Sequence, residues 1–293
     1  MSSVASLRQI RRRIRSVENT KKITRAMEMV AAVKLRRFQD FLESALPYTQ
    51  RMEELTNQLL QNLPSDSRYY HPYLEGRGTV IKAALVIFTS DTGLCGTYNS
   101  DLETLAQRWV GENKEKEVSL VFVGKHGANA LHRRSNRVLA TLSDLRVSRV
   151  DEILVELKNT IEKAFLNSEV NEVHVVYSKV ESLASFRPIT ERILPMVRSE
   201  ARTEEAVRIL IEPSAKTVLD KLIPTFFEAK LRFIFYHALL TEQIARMSAM
   251  RQATQNAEEM IDELTLLRNK ARQASITKEI IEIVSGSRAL KLK

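Results

Sequence analysis

The chain has 293 residues, 44% of them apolar and 28% charged, enough material for one or two domains with packed cores. Its net charge of +9 implies an acidic partner, whether nucleic acid, an anionic membrane surface or acidic protein. A single cysteine, Cys95, excludes an internal disulfide and a multi-cysteine zinc site, the five histidines form no HExxH pair, and no apolar run reaches the ~18 to 20 residues of a membrane span.

The N-terminal stretch, MSSVASLRQIRRR, is rich in Arg and Ser but lacks an apolar signal core. Its apolar residues continue in register into the next segment, so it is expected to be mature structure and not a transit peptide. No glycine occurs in the first 75 residues, and glycine is the residue that most readily breaks a helix. Val4, Leu7, Ile10, Ile14, Val17, Ile23, Met27, Val30, Leu35, Phe38, Leu42 and Leu46, then Met52, Leu55 and Leu59, recur at steps of three and four, with Thr20 in the one gap. That is helical periodicity over many turns. Pro47 is expected to kink this helix without ending it, and the Asn62-Leu-Pro-Ser-Asp stretch to stop it.

The middle of the chain changes character. VIKAALVIFTS (80–90), VSLVFVG (118–124), VHVVYSKV (173–180) and either RILPMV (192–197) or VRILIEP (207–213) are short apolar runs rich in β-branched residues. Helical patterns at Asn99–Val110, Lys125–Arg134 and Arg149–Leu166 separate them. Alternating strands and helices predict a small α/β domain with a largely parallel sheet. From Pro213 and Ser214 onward a second long helix is expected, with Pro224 a local irregularity. Its stripe runs through Leu219, Phe226, Ile234, His237, Ile244, Met250, Ala253, Ala257, Ile261, Leu264, Leu267, Ala271 and Ala274. Alanines on a seam let helices approach closely, and two long helices at opposite ends of one chain pair most simply as an antiparallel coiled coil. The expected fold is therefore α+α/β: a long antiparallel coiled coil of the terminal helices plus a central Rossmann-like domain with a mostly parallel sheet. The divisions are 1–62, 78–198 and 213–293.

Three features could carry chemistry. Thr89-Ser-Asp-Thr-Gly-Leu-Cys-Gly96 lies between a strand and a helix, where nucleotide-binding loops sit. It matches neither GxGxxG nor GxxxxGK[ST], and Val123-Gly-Lys-His-Gly127 lacks the Ser or Thr that would hold magnesium. The plainer reading is a tight turn with Asn99 or Ser100 as helix cap. Cys95 beside His126 or His132 could be a thiol nucleophile, though a lone cysteine is more often packing. Eleven cations against Glu18 and Glu28 in the first 37 residues resemble a basic DNA-binding arm. An apolar stripe running through the arginines argues instead for a helix packed along its length and facing an acidic surface. From the residues alone, a nucleic-acid-binding coiled coil and a small nucleotide-binding α/β enzyme remain as alternatives.

Four stretches carry a family resemblance: ENTKKITRAMEMVAAVKLRR (18–37), SDTGLCGTYNSDL (90–102), ALLTEQIARMSAMRQAT (238–254) and ELTLLRNKARQASITKEIIEIVSG (263–286). They resemble the γ subunits of F-type ATP synthases, in order along the whole chain. The resemblance implies a non-catalytic rotor with no cofactor. Its coiled coil would enter the head of α and β subunits, and its globular part would stand on the c-ring beside the ε subunit. Membrane contact would run only through the c-ring, at the cytoplasmic face of a bacterial membrane, and nucleic acid would not be a partner. The family's contacts with α and β subunits map onto Lys21, Lys22, Arg25, Met27, Arg246, Gln273, Thr277 and Glu279, with Ile280, Ile283 and Val284 on the apolar tip. Glu212 maps to the c-ring side. Thr92, Thr97 and Ser287 depart from residues frequent in the family, and the single cysteine excludes the redox switch of the plant-chloroplast branch.

Overall fold

The computed structural model describes residues 7–61, 70–74, 81–131, 137–182, 185–196, 212 and 214–291. Val4, the stop at 62–66 and most of the 207–213 run lie outside the described residues. Helix α1 spans Leu7–Gln61 and α5 spans Ala215–Lys291, and both run on through their internal prolines, Pro47 and Pro224. Between them come β1 (Lys82–Phe88), α2 (Tyr98–Glu112), β2 (Glu117–Val123), α3 (Lys125–Leu131), β3 (Arg137–Leu142), α4 (Val150–Leu166), β4 (Glu172–Ser182) and β5 (Ser185–Leu194).

The strands form one sheet in the order β3-β2-β1-β4-β5, parallel except for the antiparallel β4–β5 pair. β1 and β2 are buried at every residue but the first, as expected for central strands covered on both faces. Alternation sorts their side chains. Ala84, Val86, Phe88, Val121 and Val123 join the core under α4 and the early part of α5. Ala83, Leu85, Ile87, Leu120 and Phe122 join the core under α2 and α3. Two elements escaped sequence reading in whole or part. β3 is a half-exposed edge strand, and β5 carries Pro188 and polar residues on the opposite edge, where proline is tolerated because no further strand needs its missing N–H.

The chain divides into two compact units: Met1–Val30 with Met247–Lys293, and Ala31–Arg246. The second holds the sheet together with the inner lengths of both long helices.

Candidate functional site

In the sheet-bearing unit, the strand order reverses between β1 and β4, and a doubly wound fold binds nucleotide outside the carboxyl ends of such strands. Here α5 fills that place. Thr241 Oγ1 donates to the carbonyl of Ser178, just past the stretch of β4 paired with β1 (3.0 Å), and Tyr98 Oη donates to the Ala238 carbonyl (3.1 Å). Arg246 donates to both the carbonyl (2.9 Å) and the hydroxyl (3.2 Å) of Thr92, and to the carboxylate of Glu242. The Ser90–Gly96 turn closes on itself. Ser90 N donates to Asn99 Oδ1 (3.0 Å), Asn99 Nδ2 to Ser90 Oγ (2.8 Å), and Ser90 Oγ to the Thr92 carbonyl (2.7 Å). Thr97, not Asn99 or Ser100, precedes the first turn of α2, and Asn99 is buried in holding the turn. The side chains of Ser90 and Asn99 thus hold the turn shut, and Arg246 of α5 occupies its Thr92 carbonyl.

Cys95 is buried and accepts a hydrogen bond from Asn99 (3.3 Å). Burial pushes its thiol upward, away from thiolate. His126 faces Glu103 (3.0 Å) instead of Cys95, and His132 lies outside the described residues. Among the described residues no cluster of His, Cys, Asp and Glu could hold a metal ion, and no helix is long and apolar enough to cross a membrane.

The other unit is a two-helix shaft. As α1 numbers rise, α5 partners fall: Lys21 meets Glu258 (2.9 Å), Thr24 meets Thr254 (2.8 Å) and Arg251 meets Glu28 (2.9 Å). The helices are antiparallel. The α1 seam runs Leu7, Ile10, Ile14, Val17, Lys21, Thr24, Glu28, all buried or half-buried, in the alternating steps of three and four that define a heptad. This corrects the sequence reading. Its stripe left the seam after Val17 by following apolar residues to Ile23 and Val30, which are 60% and 56% exposed. A strict heptad count from Ile10 would have found Thr24 and Glu28. On α5, Met250, Thr254, Ala257, Ile261, Leu264 and Arg268 form the matching seam, while Leu267 and Ala274 point outward.

The family-mapped residues fall into three groups. Lys22 and Arg25 are exposed, Met27 is half-buried, and Lys21 is engaged with Glu258, whose carboxyl it holds below the usual range. Arg8, Arg11, Arg12, Arg13 and Arg15 are likewise exposed and form no ion pair with another described residue. Gln273, Thr277, Glu279, Ile280, Ile283 and Val284 are exposed on α5, with Ile283 at 71%. Continuing the seam places Leu7 opposite Ala271. Beyond it, every residue from Ile276 to Ser287 is exposed among the described residues, with five large apolar side chains bare. The third group lies in the other unit: Arg246 is buried against Glu242 and Thr92, and Glu212 is exposed in a bend.

A profile of the family described as ATP synthase matches residues 6–290. An ATP synthase gamma chain of Geobacter sp. (strain M21) is 36% identical over 297 residues, covering 98% of this chain and all of the other. One of Dehalococcoides mccartyi (strain CBDB1) is 37% identical over 287 residues, with 98% and 100% coverage. Among solved structures, a chain of the Euglena gracilis mitochondrial ATP synthase, solved with OSCP, F1 and c-ring, matches with a TM-score of 0.63. It is 16% identical, over 97% of this chain and 94% of the other. A chain of the Tetrahymena thermophila mitochondrial ATP synthase central stalk and c-ring matches with a TM-score of 0.55 at 20% identity, over 79% and 99%. At those identities the structures speak for the fold.

Proposed function

The chain belongs to the gamma family of ATP synthases, and from that premise we propose how its geometry serves a rotor. It is a non-catalytic central-stalk subunit: it transmits torque between the ion-driven ring and the catalytic head, coupling ion flow to ATP synthesis. The two-helix unit enters the head of α and β subunits. The sheet-bearing unit faces the c-ring and ε, with Glu212 on the ring side, at the cytoplasmic face of a bacterial membrane.

The observation that carries this reading is the exposed apolar side of α5 formed by Ile276, Ile280, Ile281, Ile283 and Val284. A chain that left these side chains in water would forfeit roughly 1.5–3 kcal/mol for each one. A sleeve of surrounding subunits buries them. Apolar contact has no preferred direction, so Ile280, Ile283 and Val284 can turn within it. Gln273, Thr277 and Glu279 supply the polar contacts at its mouth. Lys22, Arg25 and the exposed arginines of α1 face acidic surfaces of the β subunits, with Met27 between them. A single asymmetric shaft presents a different face to each β subunit, so turning it changes their nucleotide affinities in sequence, a coupling between sites. Arg246 serves from within, fastening the Ser90–Gly96 turn to α5.

Replacing Lys22 and Arg25 by glutamine, with Lys21 kept for its own ion pair, is expected to lower coupled ATP synthesis several-fold while the complex still assembles. Unchanged synthesis refutes the charge contribution and leaves steric pushing. Purification of the tagged chain is expected to bring α and β subunits with it. Recovery of the chain alone refutes the placement in the head.

A further inference from the structure

Around its middle the seam of the shaft is polar: Thr24 and Thr254 are buried, and the charged pairs on either side of them reach solvent through Glu258 and Arg251, whose side chains are 49% and 60% exposed. Three successive pairings across the seam are polar, Lys21–Glu258, Thr24–Thr254 and Glu28–Arg251. On the same turns of α1 the apolar Ile23, Met29 and Val30 face outward. The two threonines are each 8% exposed, and their hydroxyls are satisfied whichever one donates. Thr24 Oγ1 can donate to the Lys21 carbonyl (3.1 Å) and Thr254 Oγ1 to the Met250 carbonyl (2.8 Å), leaving the other free to bridge the helices. We propose that these three pairings fix the axial register of the shaft, making Thr24, Thr254, Glu28 and Arg251 positioning residues for torque transmission.

The argument lies in what a slip would bring together. Sliding one helix by a heptad, about 10 Å at 1.5 Å per residue, is the smallest move that turns both seams face to face again. In one direction Glu28 meets Glu258 and Thr24 meets Ile261. In the other Lys21 meets Arg251 and Thr24 meets Met247. Either way like charges oppose each other, and the bridge between the threonine hydroxyls is lost to an apolar side chain. The apolar rungs discriminate far less, because Ile, Leu and Val exchange for one another at small cost. A buried polar pair specifying register is the best-attested use of such groups in coiled coils.

The test is made on the full chain in the assembled complex, with Cys95→Ser. In the native register Ile14 lies across from Leu264, and after a one-heptad slip it lies across from Ala271. A disulfide forms only when the Cα atoms are within about 7 Å, so the cysteine pairs Ile14→Cys/Leu264→Cys and Ile14→Cys/Ala271→Cys report the two registers. The variant Thr24→Val/Glu28→Arg places Arg against Arg251 in the native register and against Glu258 in the slipped one. It is expected to lose the 14/264 cross-link and gain the 14/271 one. Adding Arg251→Glu is expected to restore 14/264. Persistence of 14/264 in Thr24→Val/Glu28→Arg overturns the proposal, since apolar rungs would then set the register. Loss without rescue by Arg251→Glu overturns it too, because the charges would not be what aligns the helices. The consequence for torque rests on the stalk reading and has its own readout: ion pumping per ATP hydrolysed falls in the slipped variant. A slipped shaft that pumps normally counts against that consequence alone.

Discussion

Arg246→Ala tests how the chain closes the crevice at the end of its sheet. Arg246 and Glu242 are 7% and 6% exposed, and the guanidinium spans the Glu242 carboxylate and both oxygens of Thr92. Truncation leaves Glu242 buried with only Gln243 Nε2 donating to it (3.2 Å) and the more distant field of Lys34. Removing one partner of a buried ion pair costs about 3–5 kcal/mol. In a unit of this size that lowers the melting temperature by roughly 6–20 °C, at about 2–4 °C per kcal/mol. The loss depends on pH. Burial already pushes the Glu242 carboxyl upward, with Arg246 pulling it back, and without the arginine it rises further. A folded-state carboxyl above its unfolded value binds more protons than the unfolded chain. The variant therefore regains stability as pH falls toward the unfolded value and loses it as pH rises through the folded one. Arg246→Met with Glu242→Leu is expected within about 1–2 kcal/mol of the parent, because no charge is stranded and the Thr92 carbonyl keeps its bond from Ser90. Denaturant unfolding at pH 5 and pH 8 measures all three. If Arg246→Ala lies within about 1 kcal/mol of the parent, or the double variant falls as far as the single one, the pair is not a buried couple and the reasoning fails.

His237 is buried with its Nδ1 unpartnered among the described residues, beside the Phe233 ring, and burial with the nearby Lys179 charge lowers it to about 4. The unfolded chain takes up that proton near pH 6.5 and the fold resists until about 4, so stability is lost as pH falls through that window, by about 2–3 kcal/mol. His237→Phe is expected to flatten the acid limb of a pH–stability curve, and an unchanged limb would assign it elsewhere. Gly124 has φ +99°, and a Cβ there would lie 2.2 Å from the Thr89 carbonyl oxygen, so Gly124→Ala should cost well over 1 kcal/mol in thermal unfolding. Gly286 has no atom within 4 Å of a Cβ. Gly286→Ala is expected to raise tip helicity by up to about 1 kcal/mol, read as slower amide exchange there.

The architecture was legible where burial and periodicity agree. β1, β2 and β4 read as apolar runs because both faces of the sheet are covered, and glycine-free ends read as long helices. β3 and β5 sit on sheet edges, where one face or one row of backbone groups meets solvent, so RVLATL and SFRPITERIL carry weak patterns. The shaft misled for a different reason. Sequence reading assigns apolar residues to the inside, and along Lys21–Val30 the seam positions Lys21, Thr24 and Glu28 are polar while Ile23, Met29 and Val30 are exposed beside Lys22 and Arg25. Arg246 was legible as important but not as buried, since its partners Thr92 and Glu242 stand 154 and four positions away.

A shaft and a soluble coiled coil face opposite demands. The soluble coil needs a greasy seam to hold together and a charged surface to stay apart from other molecules. A shaft turning in a protein sleeve must keep its two helices from sliding past each other, and must not bond in one orientation to what surrounds it. Directional bonds belong inside such a shaft and non-directional contact outside. Thr24–Thr254 lies within, Lys21–Glu258 and Glu28–Arg251 bridge the helices at the edges of the seam, and Ile23, Met29 and Val30 lie without. The same logic accounts for the tip. Past the last rung among the described residues, Ile276, Ile280, Ile281, Ile283 and Val284 form one broad exposed apolar side of α5, with Lys278, Glu279 and Glu282 on the opposite side. A charge placed on that apolar side should therefore hinder turning more than it hinders assembly. Ile280→Lys is expected to keep the complex intact on gel filtration while rotation-dependent hydrolysis falls several-fold. Full hydrolysis with that lysine in place would mean that the tip touches nothing as it turns.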